Sequence, residues 1–308
     1  MTGPAIAGAA VPSGILILGA AKSGTTALFY AVRNALTEGL GLRVEGLFEP
    51  RSPDDIRRYL RRSPDEVRLV KALLAPMLRR SMRFTDLFDR RIIIFRDPRD
   101  NVVSRLVFML KNIIPLTEPE KIEAVLDLLR RKERDPESLS VVAIISEIAR
   151  LSGRPDLLEN VRGNAVLPAR MKQERGGEFF LMPYDDLVAE NFGPLSAYLG
   201  FPVSGGYRTE PRHAYVARRK ESGDWRNWFL DEDVRYFATE VADAYRLLGF
   251  DPDERPAEHR HIPPSTCSEY AAAQFERVRE KRHQQRAARR ERERRMGHGP
   301  GLSAGAAV

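Results

Sequence analysis

A glycine-rich turn near the start of the chain combines the residue types that bind phosphate or sulfate. Residues 19–26 read Gly-Ala-Ala-Lys-Ser-Gly-Thr-Thr and directly follow the apolar run 15–18. We predict that this run is a buried strand and that residues 27–36 form the helix after the turn. Such a turn points backbone N–H groups and the positive end of the helix dipole at one spot, which favours an anion there. The residues that we expect at this anion are Lys22, Ser23, Gly24, Thr25 and Thr26.

The turn departs from the triphosphate-binding pattern Gly-x-x-x-x-Gly-Lys-Ser/Thr at one position. The frame from Gly19 to Gly24 fits, but Thr25 stands where the pattern has its lysine, and the lysine occurs three residues earlier, at Lys22. The lysine that binds the triphosphate in a nucleotide kinase or NTPase is therefore missing from its position. We keep this class of enzyme as an alternative. A purely structural glycine turn is the other alternative, and four polar side chains in one turn argue against it.

The elements along the chain position this turn in a parallel α/β fold. Strand patterns at 15–18, 42–48, 67–71, 91–95 and 178–182 alternate with helical patterns, an order typical of a parallel sheet flanked by helices. The helical patterns include 52–62 with Ser52 as N-cap, 76–88, 185–199, and 231–248 ending at Gly249. Residues 101–175 read as a helical insertion between strands. We therefore expect one α/β domain over 1–264 and a charged C-terminal tail over 265–308, partly helical and partly disordered.

Further cations and polar groups follow the later strands. Arg96 ends the strand 91–95, where ligands bind in open parallel sheets, and Ser104 follows eight residues on. A salt bridge from Arg96 to Asp100 is the alternative role. Tyr184 stands between a strand and a helix, where it is either a base contact or a half-buried core residue. Arg218, Arg219 and Lys220 form a basic cluster that suits a polyanion. A solvated basic loop is the alternative interpretation.

Four of these segments, in this order, resemble the sulfotransferases that use 3′-phosphoadenosine 5′-phosphosulfate (PAPS). Residues 21–26 resemble the family's 5′-phosphosulfate loop, 95–104 its 3′-phosphate motif, 183–187 its Tyr-Glu-Asp-Leu segment and 218–227 its Arg-Lys-Gly-x-x-Gly-Asp-Trp loop. The resemblance spans roughly residues 14–250. It implies a P-loop NTPase-like sandwich, PAPS as co-substrate, 3′-phosphoadenosine 5′-phosphate (PAP) as product, and no metal.

The same resemblance implies catalytic roles for three side chains. Lys22 would stabilise the leaving phosphate, Lys71 would hold the sulfonate, and Glu49, in a Phe-Glu-Pro segment like that of carbohydrate-type members, would be the base. Glu45 is the fallback base. A solvent-facing lysine and a surface glutamate are the alternatives for Lys71 and Glu49.

The chain also departs from the family's pattern at three places. The cytosolic aryl and steroid branch has a histidine after the third strand, and residues 70–74 contain none. Ala27 stands where that branch has a tryptophan that stacks on adenine, so Tyr184 and another aromatic would have to clamp the base. Lys220 stands where the family has glycine. The chain is thus closer to the carbohydrate-type and bacterial branch.

Composition and charge limit the remaining classes. The 308 residues carry a net charge of +7, and residues 271–296 alone carry six more basic than acidic side chains. The rest is nearly neutral, so nucleic acid is not needed to explain the charge, although the tail suits peripheral contact with an acidic membrane. One cysteine, Cys267, excludes a disulfide scaffold, and the apolar run 5–21 is too short and glycine-rich to span a bilayer.

These features predict a cytoplasmic enzyme that transfers a sulfuryl group from PAPS to a small-molecule or carbohydrate hydroxyl. A catalytically inactive nucleotide-binding protein is a further alternative, because the identity of the base is left open. The sequence also leaves the acceptor and the oligomeric state open.

Overall fold

A five-stranded, all-parallel sheet forms the centre of the protein. The computed structural model describes residues 11–62, 66–78 and 82–297. The sheet order is β2-β3-β1-β4-β5, and helices flank the sheet, so the fold is α/β, as the sequence predicted, and is consistent with a P-loop-like sandwich. The strands are β1 (Gly14–Gly19), β2 (Val44–Phe48), β3 (Val67–Leu73), β4 (Arg90–Phe95) and β5 (Phe180–Pro183).

The sheet is buried on both faces because its central strand, β1, is apolar at every position. Alternate residues of a strand point to opposite faces. Ile15 and Ile17 of β1 accordingly pack in one apolar cluster, while Leu16 and Leu18 pack in another. All four are fully buried. This continuous apolar pattern, bounded by glycines, is why the strand was recognisable from sequence.

Thirteen helices are found in the described part of the chain. Ser52 caps one of them through its hydroxyl, which accepts a hydrogen bond from the Asp55 N–H at 3.2 Å, and Gly249 ends another in the left-handed conformation, both as predicted. The helices are α1 (Thr25–Asn34), α2 (Pro53–Leu60), α3 (Leu74–Leu78), α4 (Pro98–Ile113), α5 (Pro119–Arg134), α6 (Val141–Ser152), α7 (Leu157–Arg175), α8 (Tyr184–Val188), α9 (Gly193–Leu199), α10 (Pro211–Ala214), α11 (Trp225–Trp228), α12 (Asp231–Leu248) and α13 (Ser268–Gly297).

The helical segment between β4 and β5 builds a second core beside the sheet. Helices α4 to α7 cover the predicted insertion 101–175, and their apolar residues join those of α11, α12 and the start of α13 in one cluster. Trp225 and Trp228 are fully buried there. Trp225 therefore anchors the loop before it in the core.

The predicted tail is not separate from the domain. Cys267, Tyr270, Ala271 and Phe275 are buried against the helical core, so the first two turns of α13 are part of the packed structure. The prediction of a tail differs from the structure because these two turns carry apolar residues. The high charge of the residues that follow obscured them in the sequence. Residues 281–290 of α13 are exposed.

Three further sequence predictions differ from the structure or fall outside the described residues. The helix expected at 185–199 is two helices, α8 and α9. The helix expected at 76–88 is the end of α3 and a 3-10 turn, Met82–Leu87, and residues 79–81 between them are not described. The disordered end predicted from residue 297 and the start of the apolar run at residue 5 lie mostly outside the described residues. In the described part, no helix has both the length and the hydrophobicity to cross a membrane.

Candidate functional site

A large cavity opens at the carboxyl ends of the strands. Its volume is about 1000 Å³, and of the described residues eight lysines and arginines but only two glutamates, Glu49 and Glu190, line it. Parallel sheets bind ligands at this edge. The residues predicted from sequence that line the cavity are Lys22, Gly24, Thr25, Thr26, Glu49, Lys71, Arg96, Ser104, Tyr184, Arg218, Arg219 and Lys220.

The glycine-rich turn between β1 and α1 takes a shape that larger residues would disrupt. Gly24 has a φ of 94°, and a Cβ there would lie 2.6 Å from the Tyr184 ring. Lys22 also has a positive φ, 71°, which is costly for a residue with a side chain. The fully buried Ser23 donates to the Ala20 carbonyl with both its hydroxyl, at 2.8 Å, and its backbone N–H, at 3.2 Å. Ser23 thus stabilises the turn and, unlike the other predicted residues of the turn, does not line the cavity.

Lys22 is half-buried, and its ammonium lies among other cations. Its ammonium lies 4.2 Å from the centre of the Phe108 ring and donates to the Val216 carbonyl. Burial lowers its pKa well below the ordinary value, and the nearby Arg218 and Arg96 lower it further. Because this arrangement is unfavourable without a ligand, an anion bound here would gain a strong interaction.

Arg96 is held at the end of β4 by Asp100. Its guanidinium lies 3.2 Å from the Asp100 carboxylate and 2.9 Å from the Glu221 carbonyl, which accepts a hydrogen bond from it. It also lies 4.4 Å from the centre of the Tyr184 ring. The salt bridge considered from sequence is therefore present, and Arg96 lines the cavity as well. Ser104 lies two turns into α4 on the same cavity wall.

The basic segment 218–220 is fixed by Asp224. The buried Arg218 side chain pairs with that carboxylate and donates to the Thr266 carbonyl at 3.1 Å, while its Nε has no hydrogen-bond partner among the described residues. Arg219 lies 2.9 Å from the other Asp224 oxygen. Lys220 is exposed at the mouth of the cavity.

Glu49 and Lys71 form an ion pair at the adjoining ends of β2 and β3. The Lys71 side chain is 1% exposed and the Glu49 side chain 46% exposed. Burial lowers the pKa of Lys71, and the Glu49 carboxylate opposes that change. Glu49 has a φ of 51°, and its N–H donates to the Lys71 carbonyl at 2.8 Å, which fixes the turn. Glu45 does not line the cavity.

An aromatic and apolar end of the cavity lies near Tyr184. Tyr184 is buried against the glycine-rich turn, and its hydroxyl donates to the Arg219 carbonyl at 3.3 Å. The neighbouring Tyr207 is half-buried, and burial raises its pKa. Sequence reasoning did not single out Tyr207, because it lies in an irregular segment without periodicity. The remaining apolar residues of this end are Ala27, Leu187 and Val188.

His213 is a second cavity residue that the sequence did not reveal. Its ring stacks on Phe48, with centroids 4.0 Å apart, and its Nδ1 is 2.7 Å from the Tyr30 hydroxyl. Burial, and then Arg212, lower its pKa, so the imidazole is neutral at pH 7. One branch of the family that the sequence resembles has a histidine after the third strand, where this chain has none, whereas His213 comes from α10, far along the chain.

The site can therefore bind a polyanion next to a carboxylate and a neutral imidazole. Comparison of the chain with protein-family models, with curated proteins and with solved structures gives no match. The functional conclusion consequently depends on the site itself.

Proposed function

We propose that this protein is a sulfotransferase that moves the sulfuryl group of PAPS to a hydroxyl. The observation that carries the proposal is the single cavity lined by both the glycine-rich turn and the cations Arg96, Arg218 and Arg219. PAPS carries anionic groups on both the 3′ and 5′ sides of its ribose, so it needs two sets of cations. Two such sets, from distant parts of the chain, converge here.

The donor would bind with its phosphosulfate at the turn and its 3′-phosphate at Arg96 and Ser104. The guanidinium of Arg96 suits a phosphate because its planar donors match two oxygens. Arg218, Arg219 and Lys220 would close over the nucleotide. Adenine would lie at the apolar end, against Tyr207 and the exposed edge of Tyr184.

Transfer would then be a displacement at sulfur. The acceptor oxygen forms the new S–O bond while the bond from sulfur to the bridging oxygen of the 5′-phosphate breaks, and the electron pair leaves with PAP. The Lys22 ammonium stabilises the charge on that leaving oxygen. Lys71 holds the sulfonate oxygens, and the acceptor proton passes to a base.

Glu49 is the base in this proposal, and His213 is the second candidate. The Glu49 carboxylate is paired with Lys71 but remains about half exposed toward the cavity. His213 would serve instead if Nδ1 carried the proton toward Tyr30 and left Nε2 free.

The kinase or NTPase alternative is less well supported by the same cavity. A triphosphate presents its charge as one chain, and Arg96 with the segment 218–220 would then contact no phosphate group. Thr25, at the position of the usual lysine, lines the cavity but carries no charge.

Calorimetry and a product assay test the proposal together. We expect PAP to bind at least about tenfold more tightly than ATP with magnesium, and PAP to be released from PAPS when a panel of hydroxyl compounds is supplied. Equal or tighter binding of ATP would favour the kinase alternative. Tight PAP binding with no turnover on any hydroxyl would favour a catalytically inactive binding protein.

A further inference from the structure

A third cationic group lies in the cavity, apart from the residues assigned above to the nucleotide. Arg105 of α4 and Asn160 of α7 line the cavity together with Arg154, from the loop between α6 and α7. The Arg105 guanidinium donates to the Asn160 side-chain oxygen at 2.8 Å. None of the three lies in a segment that resembles the nucleotide-binding motifs.

Two pairs of hydrogen-bonded side chains between α4 and α7 fix the position of Arg105 relative to the glycine-rich turn. Asn101 and Asn164 are hydrogen-bonded at 3.0 Å, and Asn101 donates to the Ala21 carbonyl at 2.9 Å. Arg105 and Asn160 form the second hydrogen-bonded pair, four residues after Asn101 on α4 and four residues before Asn164 on α7. Arg105 therefore lies about 6 Å farther along α4 than the contact with the turn.

Arg105 has no acidic partner among the described residues, unlike Arg96, Arg218 and Arg219. Its Nε is buried without a hydrogen-bond partner. Burial, and then the nearby Arg154, lower its pKa. The half-buried Arg105 thus lies beside a second cation, which is unfavourable unless an anion completes the site. Arg154 pairs with the exposed Asp156 at 3.4 Å. In the described part of the chain no carboxylate pairs with Arg105, so a ligand is the remaining source of an anion for it.

The surroundings indicate which ligand this is. In the proposed function the adenosine lies on the side of the cavity that β5, α8 and the segment 218–220 form, and only its 3′-phosphate reaches α4, at Ser104. Arg105 lies farther along α4, where its partner Asn160 of α7 faces it. Phe108, one turn after Arg105 on α4, contacts Lys22, where the transferred group would lie. A molecule that reaches from Lys22 to Arg105 thus lies where the acceptor must be.

We propose that Arg105, Asn160 and Arg154 form an anion subsite for the acceptor. The acceptor is then a hydroxyl compound that carries a carboxylate or a sulfate or phosphate ester, placed about one helical turn from the reacting oxygen. Met109 and Ile113, which also line this wall, contact its apolar part. This inference rests on the proposed function, because it takes the other end of the cavity to be filled by PAP.

Sulfate titration of the PAP-saturated protein tests the subsite without an acceptor. The NMR signals of the Arg105 Nε–H group and the Asn160 side-chain amide should shift saturably with sodium sulfate at constant ionic strength. Arg105→Met, which removes an unpaired charge and keeps a similar volume, should abolish the saturable response of Asn160. Arg150→Gln is the control, since Arg150 is exposed and pairs with Glu147 on the surface. A wild-type protein without a saturable shift overturns the proposal.

A matched pair of acceptors tests the same subsite during turnover. Methyl glucuronide and methyl xyloside differ only in the carboxylate at C6, and we expect about a tenfold preference in kcat/KM for the glucuronide, lost in Arg105→Met. The Kd for PAP should change less than about twofold. A fivefold weaker PAP affinity would assign Arg105 to the nucleotide and overturn the subsite. Failure of PAP to bind the wild type would instead overturn the proposed function, while sulfate titration of PAP-free wild type and Arg105→Met would still report on the subsite.

Discussion

The buried carboxylate of Asp100 accepts a hydrogen bond from the backbone N–H of Trp225 at 2.9 Å, across 125 residues of sequence. Its other oxygen accepts from the Gly223 N–H at 2.7 Å and lies 3.2 Å from the Arg96 guanidinium. One aspartate thus joins the end of β4 to the loop that carries Arg218 and Arg219. Arg96 and the basic loop are consequently one structural unit.

Asp100→Asn should weaken both the fold and the site. The amide cannot accept all of these hydrogen bonds and leaves Arg96 without its charge partner, so we expect a loss of about 3 kcal/mol in the free energy of unfolding. PAP affinity should fall at least about tenfold, because the loop 218–225 is released. Urea unfolding and calorimetry measure the two effects. Asp243→Asn, at a fully exposed position, is the control and should change neither.

Lys22→Met should weaken PAP binding but stabilise the ligand-free protein. The variant loses a phosphate-binding cation, so PAP affinity should fall about 100-fold or more. The ligand-free variant should nevertheless be more stable than the wild type, by about 1 kcal/mol, because a half-buried cation among other cations is removed. A variant that bound PAP as well as the wild type does would show that Lys22 does not contact the anion.

The stabilities of the wild type and of Lys22→Met should depend differently on pH, because the pKa of Lys22 is lowered in the folded protein. The unfolded chain binds a proton that the folded chain has lost between that pKa and the ordinary value of 10.5, so wild-type stability rises with pH in this window. The stability advantage of Lys22→Met should therefore be largest at low pH and shrink as the pH rises. PAP affinity of the wild type should decrease over the same window, since the neutral amine attracts the phosphate less. Thermal unfolding and calorimetry at several pH values check both trends.

Glu49→Gln should abolish turnover and preserve nucleotide binding. Loss of a general base lowers kcat by about 10²- to 10⁴-fold, whereas the Kd for PAP should stay within about twofold. His213→Gln is the matched variant and should leave more than about a tenth of the activity. The opposite ranking of the two variants in a single-turnover assay would make His213 the base.

Sequence reasoning predicted the sheet and the position of the glycine-rich turn because both follow from local patterns. Ile15 to Leu18 are continuously apolar, and Lys22 to Thr26 follow at once, so the strand and its loop need no tertiary information. Tyr207 and His213 carry no such pattern, since they reach the cavity through irregular chain and a four-residue helix. Arg105 looked like one more charge on a helix, because its partner Asn160 lies 55 residues away.

Gly24→Ala should destabilise the protein, in contrast to alanine at another glycine. A Cβ at Gly24 would lie 2.6 Å from the Tyr184 ring in a backbone with a φ of 94°, so we expect a loss of about 2 to 3 kcal/mol and weaker PAP binding. Gly163 lies inside α7, and a Cβ added there would meet no neighbouring side chain or other element within 4 Å. Gly163→Ala should therefore gain about 0.5 to 1 kcal/mol in urea unfolding. Equal effects at both positions would contradict the close packing of Tyr184 on the loop.

Two truncations should distinguish the packed and the exposed parts of α13. Removal of residues 283–308 should change the free energy of unfolding by less than about 0.5 kcal/mol, because residues 281–290 are exposed and the helix there has no apolar face. Removal of 265–308 should instead prevent stable folding, since Tyr270 and Phe275 leave the helical core.

The longer truncation should also affect the site. The Tyr270 hydroxyl and the Gln274 amide donate to the Tyr215 carbonyl, at 3.4 and 3.1 Å, and so support the segment whose Val216 carbonyl contacts Lys22. Circular dichroism, urea unfolding and PAP calorimetry on both truncations check these outcomes. If the protein lacking 265–308 folded and bound PAP normally, α13 would be a tail, and the boundary expected at residue 264 would be the true end of the domain.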